Sequence, residues 1–111
     1  MPTRQKSSEP GKLVPIDLSH DFSELCSVLA SITDPALTEQ LLNQLLTRAE
    51  LAEVAGRWKL VKLLDGGLSQ RRVAETLGMS LCKITRGSRE LKKPGSALKM
   101  VIQQYVPRRD S

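Results

Sequence analysis

A chain of 111 residues with a formal net charge of +5 and only three aromatic residues is long enough for one small domain. It is too poor in aromatic faces to build a stacking platform for single-stranded bases. Two cysteines with no Cys-x-x-Cys pair, and one histidine, His20, exclude a zinc framework.

Both cysteines, Cys26 and Cys82, sit beside apolar residues and read as free thiols of a reducing compartment. No stretch reaches the length of a membrane span, and the first residues lack the apolar core of a secretion signal. A cytoplasmic protein is therefore expected.

Residues 1–16, MPTRQKSSEPGKLVPI, are polar and carry three prolines, which reads as a disordered arm. Residues 17–106 then show six helical patterns and no strand pattern, so the expected class is all-α. The first helix runs from about Leu18 to Ile32, with Phe22, Leu25, Cys26, Val28 and Leu29 on its apolar side. Thr33 or Asp34 caps the second, with Pro35 at the first turn, where a missing N–H costs nothing. It continues through Leu37, Leu41, Leu42 and Leu45 to Leu46.

Thr47 and Glu50 make the T-x-x-E pattern of a capping box. They open a third helix with Leu51, Val54, Trp58, Val61 and Leu64 as apolar positions, Trp58 being read as core from its size. Gly66 and Gly67 end it. Ser69 caps a fourth helix that runs to about Leu77, and Ser80 a fifth that runs to about Lys93, stopped by Pro94 and Gly95. A last helix holds Leu98, Val101, Ile102 and Tyr105 before Pro107, and residues 107–111 form a frayed tail. A helical domain of this size buries only a modest core alone, which favours a dimer.

The segment from Ser69 to Leu91, SQRRVAETLGMSLCKITRGSREL, carries the most information. Ala74 permits close approach of two helices, Gly78 accommodates a sharp turn, and Ile84 plugs the second helix onto the first. These offsets fit a helix-turn-helix over residues 69–93, whose second helix enters the DNA major groove. The alternative is an ordinary helical hairpin on a basic surface. Charge supports the first reading. Residues 1–50 hold four Lys/Arg against seven Asp/Glu, a net of −3, while residues 51–111 hold thirteen against five, a net of +8. Such asymmetry points to a polyanionic partner.

On the fifth helix Leu81, Ile84, Ser88 and Leu91 follow the spacing of one packed face. Cys82, Lys83 and Thr85 point away from it, near the end that meets base edges. Lys83 suits guanine acceptors or a phosphate, Thr85 a base or phosphate, and Leu81 and Cys82 a thymine methyl. Arg71 and Arg72 open the fourth helix beside the groove, and Lys92 and Lys93 reach the sugar-phosphate backbone. Gly87 after Arg86 is unusual in a helix interior, at a cost of about 1 kcal/mol relative to alanine. Two explanations stand: a flat ligand held by Arg86 through its carboxylate, or close packing of another helix on Gly87.

ITRGS at Ile84 to Ser88, with SQR at Ser69 to Arg71 before it, Leu91-Lys92 after it and LLNQLLT at Leu41 to Thr47, resembles the bacterial Trp repressor family over about Phe22 to Tyr105. Members of that family are among the proteins on which the general picture of groove docking rests. The resemblance implies a six-helix, intertwined homodimer that binds L-tryptophan as co-repressor and then the operator of the tryptophan biosynthesis operon. It places the indole between Arg57 and Arg86, with Arg86 on the carboxylate and Gly87 against the ligand. Backbone carbonyls of Gln44 and Leu46, with Thr47 nearby, receive the ammonium or line the pocket. Toward the operator it places Arg71, Leu81, Cys82, Lys83, Thr85 and Lys92, with Arg71 as the base-reading arginine and Lys92 on a phosphate; Ser69, Gln70, Arg72 and Gly78 of the same helix-turn-helix join them as candidates for the DNA-binding face.

The chain departs from the family in several places. Arg89 stands where the family usually has Asn, Lys83 where it has Thr, and Cys82 where it has Ala. Glu90 replaces a small residue near the ligand's ammonium, and either pairs with that ammonium or with Arg86 or Arg57. The stretch from Thr47 to Ser69 is one residue short, which leaves the facing of Arg57 open by about 100°. A tryptophan-independent helix-turn-helix module, related to that of bacterial replication initiators, is the competing reading. An enzyme is not expected, since no nucleophile–base pair or carboxylate pair stands out.

Overall fold

The structure, a computed structural model, describes residues 16–107. The expected arm (but for Ile16) and the tail beyond Pro107 lie outside the described residues. Six helices follow one another: α1 (Ser19–Ser31), α2 (Pro35–Leu45), α3 (Arg48–Asp65), α4 (Gln70–Leu77), α5 (Leu81–Lys92) and α6 (Ala97–Tyr105). No strand occurs among the described residues. The protein is all-α, as its sequence predicts. The described residues divide into two compact units, one ending at Gln40 and the other beginning at Leu41.

In the first unit, Asp17 accepts hydrogen bonds from the Ser19 hydroxyl and from the Ser19 backbone N–H, the latter at 2.9 Å. These bonds, the hydroxyl's first, hold its carboxyl below the usual carboxylate range. Ile32, in extended conformation, stops α1. Asp34 then caps α2, its Oδ1 accepting from the Ala36 N–H at 3.0 Å. The apolar side of α1 is present, yet none of its residues is buried within the chain, and Phe22 stands exposed.

In the second unit, the Thr47 Oγ1 accepts from the Glu50 N–H at 3.1 Å, and the Glu50 carboxylate accepts from the Thr47 N–H at 2.9 Å. This completes the capping box and starts α3, which packs on α4, α5 and α6. The core draws on all four helices: Leu60 and Val61 from α3, Val73 from α4, Ile84 and Leu91 from α5, and Ile102 from α6. Trp58 is not in that core. It lies half-buried at its edge, with the Lys62 ammonium 5.8 Å from its ring centroid. Val54 is exposed, whereas Val61 of the same expected stripe is buried and Leu60, outside that stripe, is buried beside it.

Candidate nucleic-acid interface and ligand cleft

The turn between α4 and α5 is built as its residues require. Gly78 adopts φ 65°, ψ 34°, the left-handed conformation that glycine takes without strain. Ser80 caps α5 by accepting from the Lys83 N–H at 3.4 Å, and Ser69 caps α4 by accepting from the Arg72 N–H at 3.2 Å. Val73 and Ile84 are fully buried, so the aliphatic plug sits where its spacing places it. Ala74 packs against the same core. The α4–turn–α5 pair fits a helix-turn-helix.

On the outside of this pair, Arg71, Arg72, Leu81, Cys82, Lys83 and Lys92 are all exposed. Leu81, Cys82, Thr85, Arg86 and Arg89 line one shallow depression on α5. Arg89, which the sequence marks only as a departure from the family, thus joins the surface expected to face DNA. Thr85 is not free to donate outward: its hydroxyl donates to the Gln70 side chain at 3.0 Å, tying α5 to the start of α4. Lys83 is also engaged, with its ammonium 3.4 Å from the Glu53 carboxylate of α3.

Behind α5 lies a cleft of about 560 Å³. Val54, Arg57, Trp58, Leu60 and Val61 form its α3 wall, Lys83, Arg86, Gly87 and Glu90 its α5 wall, and Leu98 of α6 closes it. Arg57 therefore shares one cleft with Arg86 and Gly87. Its guanidinium lies 3.7 Å from Glu53. Glu90 pairs with Lys93 at 3.0 Å rather than with either arginine. Arg86 makes no ion pair among the described residues, and it borders both the cleft and the exposed depression of α5. Gly87 faces α3 so closely that a Cβ there would lie 2.5 Å from Leu60 Cδ1. Close packing thus accounts for the glycine, while its edge still lines the cleft.

Gln44, Leu46 and Thr47 do not line this cleft. Gln44 is exposed, and the Thr47 side chain is used in capping α3. Among the described residues no three His, Cys, Asp or Glu side chains gather as a metal site. No helix there is long and apolar enough to cross a membrane.

A family described as "Trp repressor protein" matches residues 20–106. The chain is 35% identical over 91 residues to a Trp operon repressor homolog of Vibrio parahaemolyticus serotype O3:K6, covering 78% of this chain and 88% of that protein. It is 38% identical over 89 residues to one of Vibrio cholerae serotype O1, covering 77% and 86%. It is 34% identical over 86 residues to one of Chlamydia trachomatis serovar L2, covering 77% and 88%. With a basic α4–turn–α5 pair that fits a DNA-binding motif and matches that span nearly all the described residues, the chain belongs to the Trp repressor family, a family of transcriptional regulators.

Proposed function

We propose that the protein is a tryptophan-responsive repressor: a homodimer that binds L-tryptophan, then the operator of the tryptophan biosynthesis operon, and blocks transcription there. The observation that carries this reading is the position of Arg86. It is a cation without an ion-pair partner among the described residues, set between an apolar cleft and the exposed face of α5. A ligand carboxylate gains charge-assisted hydrogen bonds from it. An indole ring has Arg57, Trp58 and Val61 as neighbours, and Glu90 lies within the same cleft to meet an ammonium. Occupancy then biases the placement of α5 toward the spacing that fits successive grooves.

A homodimer is part of the same reading. Phe22 of α1, Leu45 of α2 and Val101 and Tyr105 of α6 are exposed apolar residues that a second copy would cover. Gln44, Leu46 and Thr47, which the family resemblance assigns to the ligand, would have to come from a second copy. Paired recognition helices also suit a symmetric operator with half-sites about one DNA turn apart. Action on chromosomal DNA places the protein in the cytoplasm.

The test is a calorimetric titration with L-tryptophan, followed by operator binding with and without it. Tryptophan should release heat in wild type, none in Arg86→Ala, and should raise operator affinity. Linkage requires operator DNA to tighten tryptophan binding by the same factor. Operator binding that is indifferent to tryptophan would leave the ligand-independent module as the function.

A further inference from the structure

Glu53 of α3 is shared between two cations with different expected roles. Its Oε1 lies 3.7 Å from the Arg57 Nη2, and its Oε2 lies 3.4 Å from the Lys83 ammonium. Arg57 stands one turn further along α3 and lines the ligand cleft with Arg86 and Gly87. Lys83 belongs to the first turn of α5, the end expected to meet base edges. One carboxylate thus joins a wall of the cleft to the exposed face of α5.

The geometry splits this carboxylate between its two partners. An arginine holds a carboxylate best through two parallel N–H···O bonds, which take both oxygens. Here Oε2 accepts from Lys83, and Arg57 is left outside hydrogen-bond distance of Oε1. The i,i+4 spacing of Glu53 and Arg57 on one helix brings the two side chains within reach of a closer pairing. All three side chains are at least half exposed, so a change of partner costs little.

We propose that Glu53 is a positioning residue that couples the ligand cleft to the DNA-facing surface by exchanging partners, and this rests on the tryptophan-responsive function proposed for the same cleft. With Lys83 on Glu53, Arg57 is loosely held. When Lys83 turns to a phosphate or base of the operator, both Glu53 oxygens pass to Arg57 and fix its guanidinium plane as a wall for the indole ring. Conversely, a ring stacked on Arg57 favours the two-oxygen pairing and releases Lys83. Each ligand thereby strengthens binding of the other by the same factor.

The test reads the affinity of the full-length protein for L-tryptophan without DNA, by calorimetry, in a double-mutant cycle of Lys83→Thr and Glu53→Gln. Lys83→Thr leaves Glu53 to Arg57 alone and should tighten tryptophan by about twofold to threefold, the scale of a half-exposed ion pair. In the Glu53→Gln background the same change should have no effect. The factor by which tryptophan raises operator affinity should fall in Glu53→Gln by about the same twofold to threefold. A merely structural role of Glu53 would lower the melting temperature and leave that factor unchanged. If Lys83→Thr leaves tryptophan affinity as in wild type, there is no exchange. If it tightens tryptophan equally in both backgrounds, Lys83 acts on the ligand directly from the cleft wall, and the exchange falls as well. A wild-type protein that binds no tryptophan defeats the tryptophan reading instead, and side-chain NMR then decides the exchange. The Arg57 guanidinium N–H groups should exchange with water more slowly in Lys83→Thr than in wild type, and only while Glu53 is present. An unchanged rate would mean that the two cations do not compete for this carboxylate.

Discussion

Leu60 occupies the space a side chain at position 87 would need: a Cβ on Gly87 would lie 2.5 Å from Leu60 Cδ1 and 3.4 Å from Val61 Cγ1. Leu60 is almost wholly buried, so its methyl group has little room to retreat. Alanine at 87 would gain about 1 kcal/mol of helix propensity. Overpacking of a filled core costs about 1–3 kcal/mol. Gly87→Ala should therefore be near neutral to destabilising by about 2 kcal/mol. Gly87→Val, with a branched side chain, should be clearly worse. Chemical denaturation of both variants checks this, and a Leu60→Val background should relieve part of the penalty. Loss of a tryptophan response in Gly87→Val alone would then report core damage as much as a lost ligand contact.

The capping box at Thr47 and Glu50 starts the longest helix among the described residues. Thr47→Ala removes the acceptor for the Glu50 N–H and should cost about 1 kcal/mol, within the usual 0.5–2 kcal/mol range for such caps. Thr47→Ser keeps the acceptor and should lose only a few tenths of that. Thermal melts of the two variants distinguish capping from any role of Thr47 beside a ligand, because tryptophan affinity is read separately.

What was legible in the sequence was local. Thr47, Ser69, Ser80 and Gly78 each act on the few residues that follow or precede them, so helix starts and the α4–α5 turn were readable before any packing was known. The stripe of α3 was harder. Leu60, Leu63 and Leu64 compete with Val54 and Trp58 for the inward side, and only the positions of α4, α5 and α6 decide between them. The convergence of Arg57 and Arg86 came from family resemblance, since no spacing rule joins residues so far apart in sequence. The pairing of Glu53 with Lys83 was invisible for the same reason: it depends on how α3 faces α5.

That pairing bears on DNA binding. Glu53 approaches Lys83 at 3.4 Å and Arg57 at 3.7 Å, so one carboxylate offsets two cations near the proposed interface. Glu53→Gln should tighten binding to a mixed-sequence duplex by about twofold to fivefold at low salt, the scale of a half-exposed ion pair. The gain should shrink as salt rises. In a Lys83→Thr background most of it should vanish. Equal gains in both backgrounds would mean that Glu53 acts through the overall field and does not hold Lys83 in particular.

Glu90 gives the sharpest reading of the cleft. Its carboxylate pairs with Lys93 at 3.0 Å and leaves Arg86 free, so it does not block the cation proposed to hold the ligand's carboxylate. Glu90→Ser should therefore weaken L-tryptophan binding by about threefold to fivefold, as expected for loss of a partly exposed partner to the ammonium. Two analogues separate the ends of the ligand. Tryptamine, which keeps the ammonium and lacks the carboxylate, should lose affinity in Glu90→Ser and little in Arg86→Ala. Indole-3-propionate, which keeps the carboxylate and lacks the ammonium, should show the reverse. Calorimetry at constant ionic strength measures all four pairs. Tighter tryptophan binding in Glu90→Ser would instead mean that this carboxylate competes for the arginines when the cleft is empty.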